Sequence, residues 1–367
     1  MALTAGIVGL PNVGKSTLFN AITKSSVEAA NYPFATIDPN VGVVEVPDAR
    51  LEKITELVQP KKTVPTTFEF TDIAGLVRGA SKGEGLGNQF LSHIREVDAI
   101  THVVRCFNDA DITHVDGNVD PARDIETINF ELIMADLDVV EKRLSRIEKK
   151  ATQTKDKEGM YEVGILKKIK EVLLADQKAI VAELNKEELA FVKHFRLLTM
   201  KPMIYVANLS EEEISDPTSN ENYNKVVELA AKENTEVVPV CAKIEMDIAL
   251  LDQEDQLMFL EDIGLAESGL DVLIKKAYNI LNLKTYFTAG VQEVRAWTFI
   301  DGMSAPQTAG IIHTDFERGF IKAEVMAYDD LVKFGSEHAA KENGRVRIEG
   351  KEYIVKDGDI MHFRFNV

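Results

Sequence analysis

Gly9-Leu10-Pro11-Asn12-Val13-Gly14-Lys15-Ser16-Thr17 is the stretch that decides the fold. It reads G-x-x-x-x-G-K-[ST], the phosphate-binding loop. Leu3 to Val8 before it is a short apolar run suited to a buried strand, and Thr17-Leu18-Phe19-Asn20-Ala21-Ile22 after it can start a helix. Strand, loop and helix are the context this motif requires. Gly9 and Gly14 let the backbone turn tightly and come close to a phosphate chain. The loop's N–H groups, at a helix N-terminus, then bind oxyanions. Lys15 is placed to reach the β- and γ-phosphates, and the Ser16 hydroxyl to ligate Mg²⁺.

Working outward, Asn31 to Asn40 is a proline-containing polar loop. It stands where a P-loop GTPase keeps its first switch, and Thr36 is its candidate second Mg²⁺ ligand. Val41 to Val46 reads as a strand, and Asp48 can cap a helix running through Val58. Thr67 to Thr71 alternates like a strand and delivers Asp72-Ile73-Ala74-Gly75. In this D-x-x-G the Asp holds Mg²⁺ through water and the Gly75 N–H contacts the γ-phosphate. The next residue is Leu76, where many such enzymes carry a Gln that orients the attacking water. Gly79 to Phe90 is glycine-rich and reads as the second switch. His114 lies in a polar loop beyond the strand Ala99 to Cys106. It reads either as a surface histidine or as a water-positioning group that replaces the missing Gln.

At the base end, Met203 to Ala207 is a buried strand that delivers Asn208-Leu209-Ser210-Glu211. A GTPase has N-K-x-D here, and its Asp accepts hydrogen bonds from guanine N1 and N2. Leu209 replaces that Lys and Glu211 that Asp. Adenine has no N2 amine and its N1 is an acceptor, so a carboxylate gains nothing from it, and guanine preference is expected to be lost. Asn208 and the backbone near Leu209 remain to read an adenine edge. Cys241-Ala242-Lys243 is similar to the S-A-K loop that closes over the base, with Cys in place of Ser.

The 367 residues imply two or three domains. The net charge of −18 argues against nucleic-acid binding over the whole surface. Charge is uneven, however. Residues 140–200 hold 14 Lys+Arg and 10 Asp+Glu, so +4 there leaves −22 for the remainder. In the same region Leu137, Val140, Leu144 and Ile147 step by three and four, a coiled-coil seam. Thr152 to Gly164 reads as a turn, and Ile165, Ile169, Val172, Ile180 and Leu184 resume helical spacing. Two antiparallel helices forming a basic projecting arm are expected, as a solvated insertion or as an RNA or ribosome contact. Beyond Leu283, short alternating strands, a helix at Ala309 to Arg318 and glycine turns make a small α+β module. Cys106 and Cys241 end apolar runs and suit buried, reduced thiols. No basic leader precedes the first strand and no apolar run approaches membrane-spanning length, so a cytoplasmic protein with no membrane partner is expected.

The order of these motifs resembles the YchF/Obg-like ATPases of the Obg branch of P-loop GTPases. The resemblance rests on Gly9 to Thr17, Asn31 to Asn40, Asp72 to Phe90 and above all Asn208 to Glu211, and extends over the whole chain. It implies an α/β fold in three parts. These are a doubly wound nucleotide-binding domain over 1–127 and 201–282, an inserted coiled-coil arm over 128–200, and a ubiquitin-like TGS module over 283–367. It implies ATP hydrolysis with Mg²⁺ and association with the ribosome, as the large subunit or the 70S particle, with ribosomal RNA as a further partner. Carried over by motif, Asn12, Val13, Gly14, Lys15, Ser16 and Thr17 would cradle the phosphates, with Lys15 catalytic. Ser16, Thr36 and Asp72 would sit at Mg²⁺. Asn208, Leu209, Glu211, Ala242 and Lys243 would surround the base. His114 matches a family histidine considered for the catalytic role, and Asn12 a residue that coordinates K⁺ in some relatives. Two other readings stay open: an Obg-type GTPase, and a ribosome-binding adaptor in which nucleotide is only structural.

Overall fold

The apolar run ahead of the phosphate loop forms strand β1 (Thr4–Val8), and the loop opens directly into helix α1 (Lys15–Lys24). The computed structural model describes residues 3–25, 40–73 and 86–366. The expectations for Thr36, Gly75 and Leu76, and most of both switch segments, lie outside these residues. After β2 (Val41–Glu45) the chain leaves for α2 (Ala49–Val58) and β3 (Lys62–Val64), and it returns through β4 (Thr67–Asp72). Next come α3 (Leu86–Glu96) and β5 (Ala99–Arg105). The chain divides into two compact units, residues 1–42 with 69–273 and residues 43–68 with 274–367.

The first unit is built on a sheet in the order β2-β4-β1-β5-β6-β7, with β6 at Met203–Asn208 and β7 at Glu236–Val240. Strands β4, β1, β5, β6 and β7 run parallel. Every residue of β5 and β6 is buried, as expected for strands covered on both faces. The chain steps from β1 outward to β4 and then to β5 on the other side of β1. Doubly wound sheets bind ligands beside such a reversal, at the carboxyl ends of the strands.

Between β5 and β6 stand α4 (Pro121–Thr154), α5 (Lys157–Leu174) and α6 (Lys186–Val192). Asp120 caps α4 by accepting from the Arg123 N–H, with Pro121 in the first turn, where its missing donor costs nothing. The first half of α4 buries Ile125, Ile128 and Leu132. Further along, Leu137, Val140 and Leu144 pack on Val163, Leu166 and Ile169 of α5, so the coiled-coil seam is present. The connection is shorter than expected. Only Lys155, left-handed at φ 50°, and Asp156, which caps α5, separate the helices. Gly159 and Gly164 therefore lie inside α5, not in a turn. A Cβ on Gly159 would stand 3.0 Å from Ala151 Cβ, so that glycine permits close approach to α4. Nor do Ile180 and Leu184 continue a helix. Asp176 turns left-handed after α5, and α6 begins afresh at the Asn185 capping box. The fully buried Asp136 of α4 accepts from the Leu198 N–H (2.9 Å), the Thr199 N–H (2.8 Å) and the Thr199 hydroxyl (2.7 Å), which anchors the returning chain.

Helices α7 (Glu221–Glu233), α8 (Ala242–Ile248), α9 (Gln253–Asp262) and α10 (Gly269–Ile280) follow. The second unit then adds β8 (Leu283–Ala289), β9 (Glu293–Ile300), α11 (Ala305–Ile312), α12 (Thr314–Arg318) and β10 (Phe320–Ala327). It closes with α13 (Tyr328–Phe334), α14 (Glu337–Glu342), β11 (Arg347–Glu349) and β12 (Asp359–Phe365). Its sheet runs β11-β10-β12-β8-β9-β3. Side chains alternate between two apolar layers. Tyr286, Val325 and Met361 enter one with α11, and their neighbours Phe287, Met326 and Ile360 enter the other with Leu51 and Ile54 of α2. This differs from the expected boundary. Residues 43–68 pack with the C-terminal module because α2 covers its second face and β3 pairs with β9.

Candidate functional site

Four loops at the carboxyl edge of the first unit's sheet, after β1, β5, β6 and β7, enclose a cavity of about 600 Å³. The phosphate loop forms one end. Gly14 is left-handed at φ 100°, and a Cβ there would sit 2.1 Å from the Asn208 amide nitrogen. A Cβ on Gly9 would stand 2.5 Å from the Val103 carbonyl. Gly9 is thus dictated by contact, and Gly14 by contact as well as by its left-handed backbone. Asn12, Gly14, Lys15, Ser16 and Thr17 line the cavity. The Val13 side chain is buried beneath it.

Lys15 is buried, and its ammonium donates to the Leu10 carbonyl at 2.7 Å. Burial lowers its pKa to about 8, partly offset by the charge of Asp72. Asp72 ends β4 alongside Ile7 of β1, and burial raises its pKa against the pull of Lys15. Ser16, in the first turn of α1, and Asp72, at the end of β4, are hard oxygen donors of the kind that suits Mg²⁺.

Asn208 closes the other end and ties the four loops together. Its amide donates to the Val13 carbonyl (2.9 Å) and accepts from the Ala242 N–H (3.0 Å), while its own carbonyl accepts from Cys106 and Phe107. These bonds use one amide N–H and one lone pair of Oδ1, so Asn208 combines its scaffold role with one donor and one acceptor site still to offer a base edge. The Leu209 N–H is committed, to the Val240 carbonyl at 2.8 Å, and its side chain is buried. Glu211 and Lys243, both exposed at the rim, form an ion pair with each other. Ala242 starts α8 directly from this rim. Below it Glu245 is buried and accepts from the Gly269 N–H at 2.8 Å, and burial pushes its carboxyl up to about 7.

The third wall, residues 107–112, carried no motif. Phe107, Asn108, Asp109 and Ile112 line the cavity. The Asn12 side chain reaches across to donate to the Thr113 carbonyl at 3.1 Å. His114 follows, and here the structure departs from both sequence readings. It is neither a surface residue nor a cavity group. Its side chain is buried, Nε2 meets Asp124 Oδ2 at 2.9 Å, and Nδ1 accepts from the Asp116 N–H at 3.1 Å. That pairing selects the Nε2–H tautomer and leaves neither nitrogen for a water. His114, Asp116 and Asp124 cluster closely enough to hold a cation. The Arg123 guanidinium, 3.0 Å from Asp124 and 3.6 Å from Asp116, already supplies the positive charge there. The thiols are inert, since burial pushes Cys106 up to about 12 and also raises Cys241. Among the described residues no helix is long and apolar enough to cross a membrane.

A parallel doubly wound sheet, a glycine-built phosphate loop at its switch point and an Asn-anchored base loop define a P-loop nucleotide-binding protein of the GTPase superfamily. A family profile described as "50S ribosome-binding GTPase" matches residues 4–135, and the YchF-GTPase_C profile, described as a protein of unknown function, matches 283–366. The chain is 65% identical, over the full length of both, to a Bacillus subtilis protein named "Ribosome-binding ATPase YchF". It is 54% identical over the same span to the Escherichia coli O157:H7 protein of that name. It superposes on the structure titled Schizosaccharomyces pombe YchF GTPase with a TM-score of 0.90 and 41% identity, covering 99% of this chain and 97% of that one. The chain belongs to the YchF family.

Proposed function

We propose that this chain binds and hydrolyses ATP to ADP and phosphate, with Mg²⁺, as a slow switch that associates with the ribosome in the cytoplasm. The observation that carries the base preference is the Glu211–Lys243 pair. Lys243 from the opposite loop holds one oxygen of the carboxylate at the guanine-reading position and so competes with guanine's donors for it. The names of the relatives, "Ribosome-binding ATPase", point the same way.

The phosphate loop's N–H groups hold the β- and γ-phosphates. Lys15 leaves the Leu10 carbonyl for the phosphates, whose negative charge holds its proton in place despite burial. Ser16, Asp72 and Thr36 would hold Mg²⁺, which would supply neutralising charge to the phosphates. Water attacks the γ-phosphorus in line with the leaving β-phosphate oxygen, and Lys15 stabilises the developing charge. Slow turnover is expected, because Leu76 cannot orient that water and His114 is turned away from the cavity. A catalytic role for His114 would require the 107–118 loop to rearrange, whereas a K⁺ ion at Asn12 would take the side-chain oxygen, since the bond to Thr113 uses the amide nitrogen.

Calorimetry with Mg²⁺ on the wild type and on Leu209→Lys/Glu211→Asp tests the base assignment. ATP is expected to bind at least as tightly as GTP, with the double change shifting preference toward GTP. A wild type that prefers GTP would remove the ATPase assignment and favour the Obg-type GTPase reading. For the ribosome, the basic arm is the proposed contact, alone or with the C-terminal module. Lys167 and Lys168 are held within the arm by Glu148 (2.6 Å) and Glu188 (2.8 Å). The clean probe is therefore Lys149→Glu/Lys150→Glu, which should weaken ribosome co-sedimentation about tenfold. Unchanged sedimentation would exclude that face of the arm.

A further inference from the structure

Arg105 ends β5 with a side chain buried to 1% exposure, among the largest fully buried side chains described. Its three hydrogen bonds all go to backbone carbonyls of the segment that follows. Nε donates to Phe107 (3.2 Å), Nη1 to Ile112 (2.9 Å) and Nη2 to Asp109 (3.1 Å). The guanidinium also lies 4.5 Å from the centre of the Phe107 ring. Three carbonyl dipoles from a six-residue segment thus converge on one cation. Without that cation their oxygens face one another across a dry gap and repel. The planar fork of arginine can serve three acceptors in different directions at once, and the point charge of an ammonium serves them less well.

The carbonyls so gathered belong to residues of the nucleotide cavity's third wall. The far end of that wall is held separately, through Asn12 to Thr113 and His114 to Asp124. We infer that Arg105 is a positioning residue for nucleotide binding, gathering the carbonyls of Phe107, Asp109 and Ile112 so that the 107–112 wall is preformed against the sugar and base. It touches no phosphate-loop group through these bonds, so its effect falls on nucleotide affinity and not on the chemical step. This inference rests on the reading of the cavity as the nucleotide site.

The test compares Arg105→Met, which fills the space without donors, with Arg105→Lys. ATP and GTP dissociation constants are measured by calorimetry, with KM, kcat and thermal midpoint on the same preparations. Losing this set of bonds to a charged donor should weaken nucleotide binding by about tenfold or more. KM for ATP should rise by the same factor in Arg105→Met, with kcat at saturation within about twofold. Arg105→Lys should fall between the two. A lowered thermal midpoint with unchanged dissociation constants would make Arg105 a structural residue only and overturn the inference. A fall in kcat without a rise in KM would overturn it as well. Should Arg105→Met not fold, the exposed wall change Ile112→Asp serves in its place. It should also raise the dissociation constant, and no change would show that the wall does not meet the nucleotide. A wild type that binds neither ATP nor GTP would fail the functional reading itself, a result distinct from these.

Discussion

The phosphate end and the base end of the cavity are held by different means. At the phosphate end the backbone does the holding. Gly9 and Gly14 fit where no side chain could, so the backbone itself can come close to a phosphate without any side chain having to be placed. At the base end side chains do it. The Asn208 amide joins three loops, Arg105 gathers a fourth segment, Glu211 and Lys243 pair across the rim, and Glu245 props α8 from below. A backbone site tolerates almost no change at its glycines but is spelled out in a short motif. A side-chain site is spread over residues 105 to 269 and can drift in base preference while the phosphate grip stays the same.

Gly14→Ala is the largest expected break in this contrast. The new methyl meets the Asn208 amide in a left-handed backbone, so both ends fail together. Nucleotide affinity should drop about a thousandfold, some 4 kcal/mol, with a lower thermal midpoint. A variant that binds ATP normally would mean the loop has slack to give, and the contrast would dissolve.

Glu245→Gln probes the base end more gently, through pH. The folded carboxyl titrates at about 7, raised from 4.5 mainly by burial. Between those values the folded protein holds a proton that the unfolded chain releases, so wild-type stability falls as pH rises through that window. Glutamine keeps the acceptor for the Gly269 N–H but does not ionise. The variant should gain about 2 kcal/mol over the wild type on going from pH 5 to pH 8, read by urea unfolding. Parallel pH profiles would show that Glu245 is not held neutral.

The same contrast governs what could be read from the sequence. The phosphate loop, the strand ends and the seam of α4 were legible because each is a local pattern: a motif, an apolar run, a three-four spacing. Asp48 was legible as the cap of α2, since its side chain accepts from the Arg50 N–H two residues on. What α2 packs against was not, because Leu51 and Ile54 show an apolar face without showing its partner, and that partner is more than 200 residues away. His114 was legible as a residue of interest but not in its role. Its orientation is set by Asp124 and Arg123, which stand at α4's first turn and show no spacing rule with it. Arg105 was missed outright. An arginine ending an apolar strand reads as the point where the chain surfaces, and only the fold shows three carbonyls curling back over it.

Helix α4 has a mechanical consequence. Its first turn carries Asp124, the partner of His114 just beyond the cavity's third wall, and its last residue, Thr154, ends the arm's first helix. The helix's 34 residues form one unbroken rod, about 50 Å long at 1.5 Å per residue. A rod of that length multiplies angle into distance, so a tilt of about 5° at its root displaces the far end by about 4 Å. A change at the cavity too small to disturb a single hydrogen bond there is thus enlarged, at the arm's end, to the width of a side-chain contact.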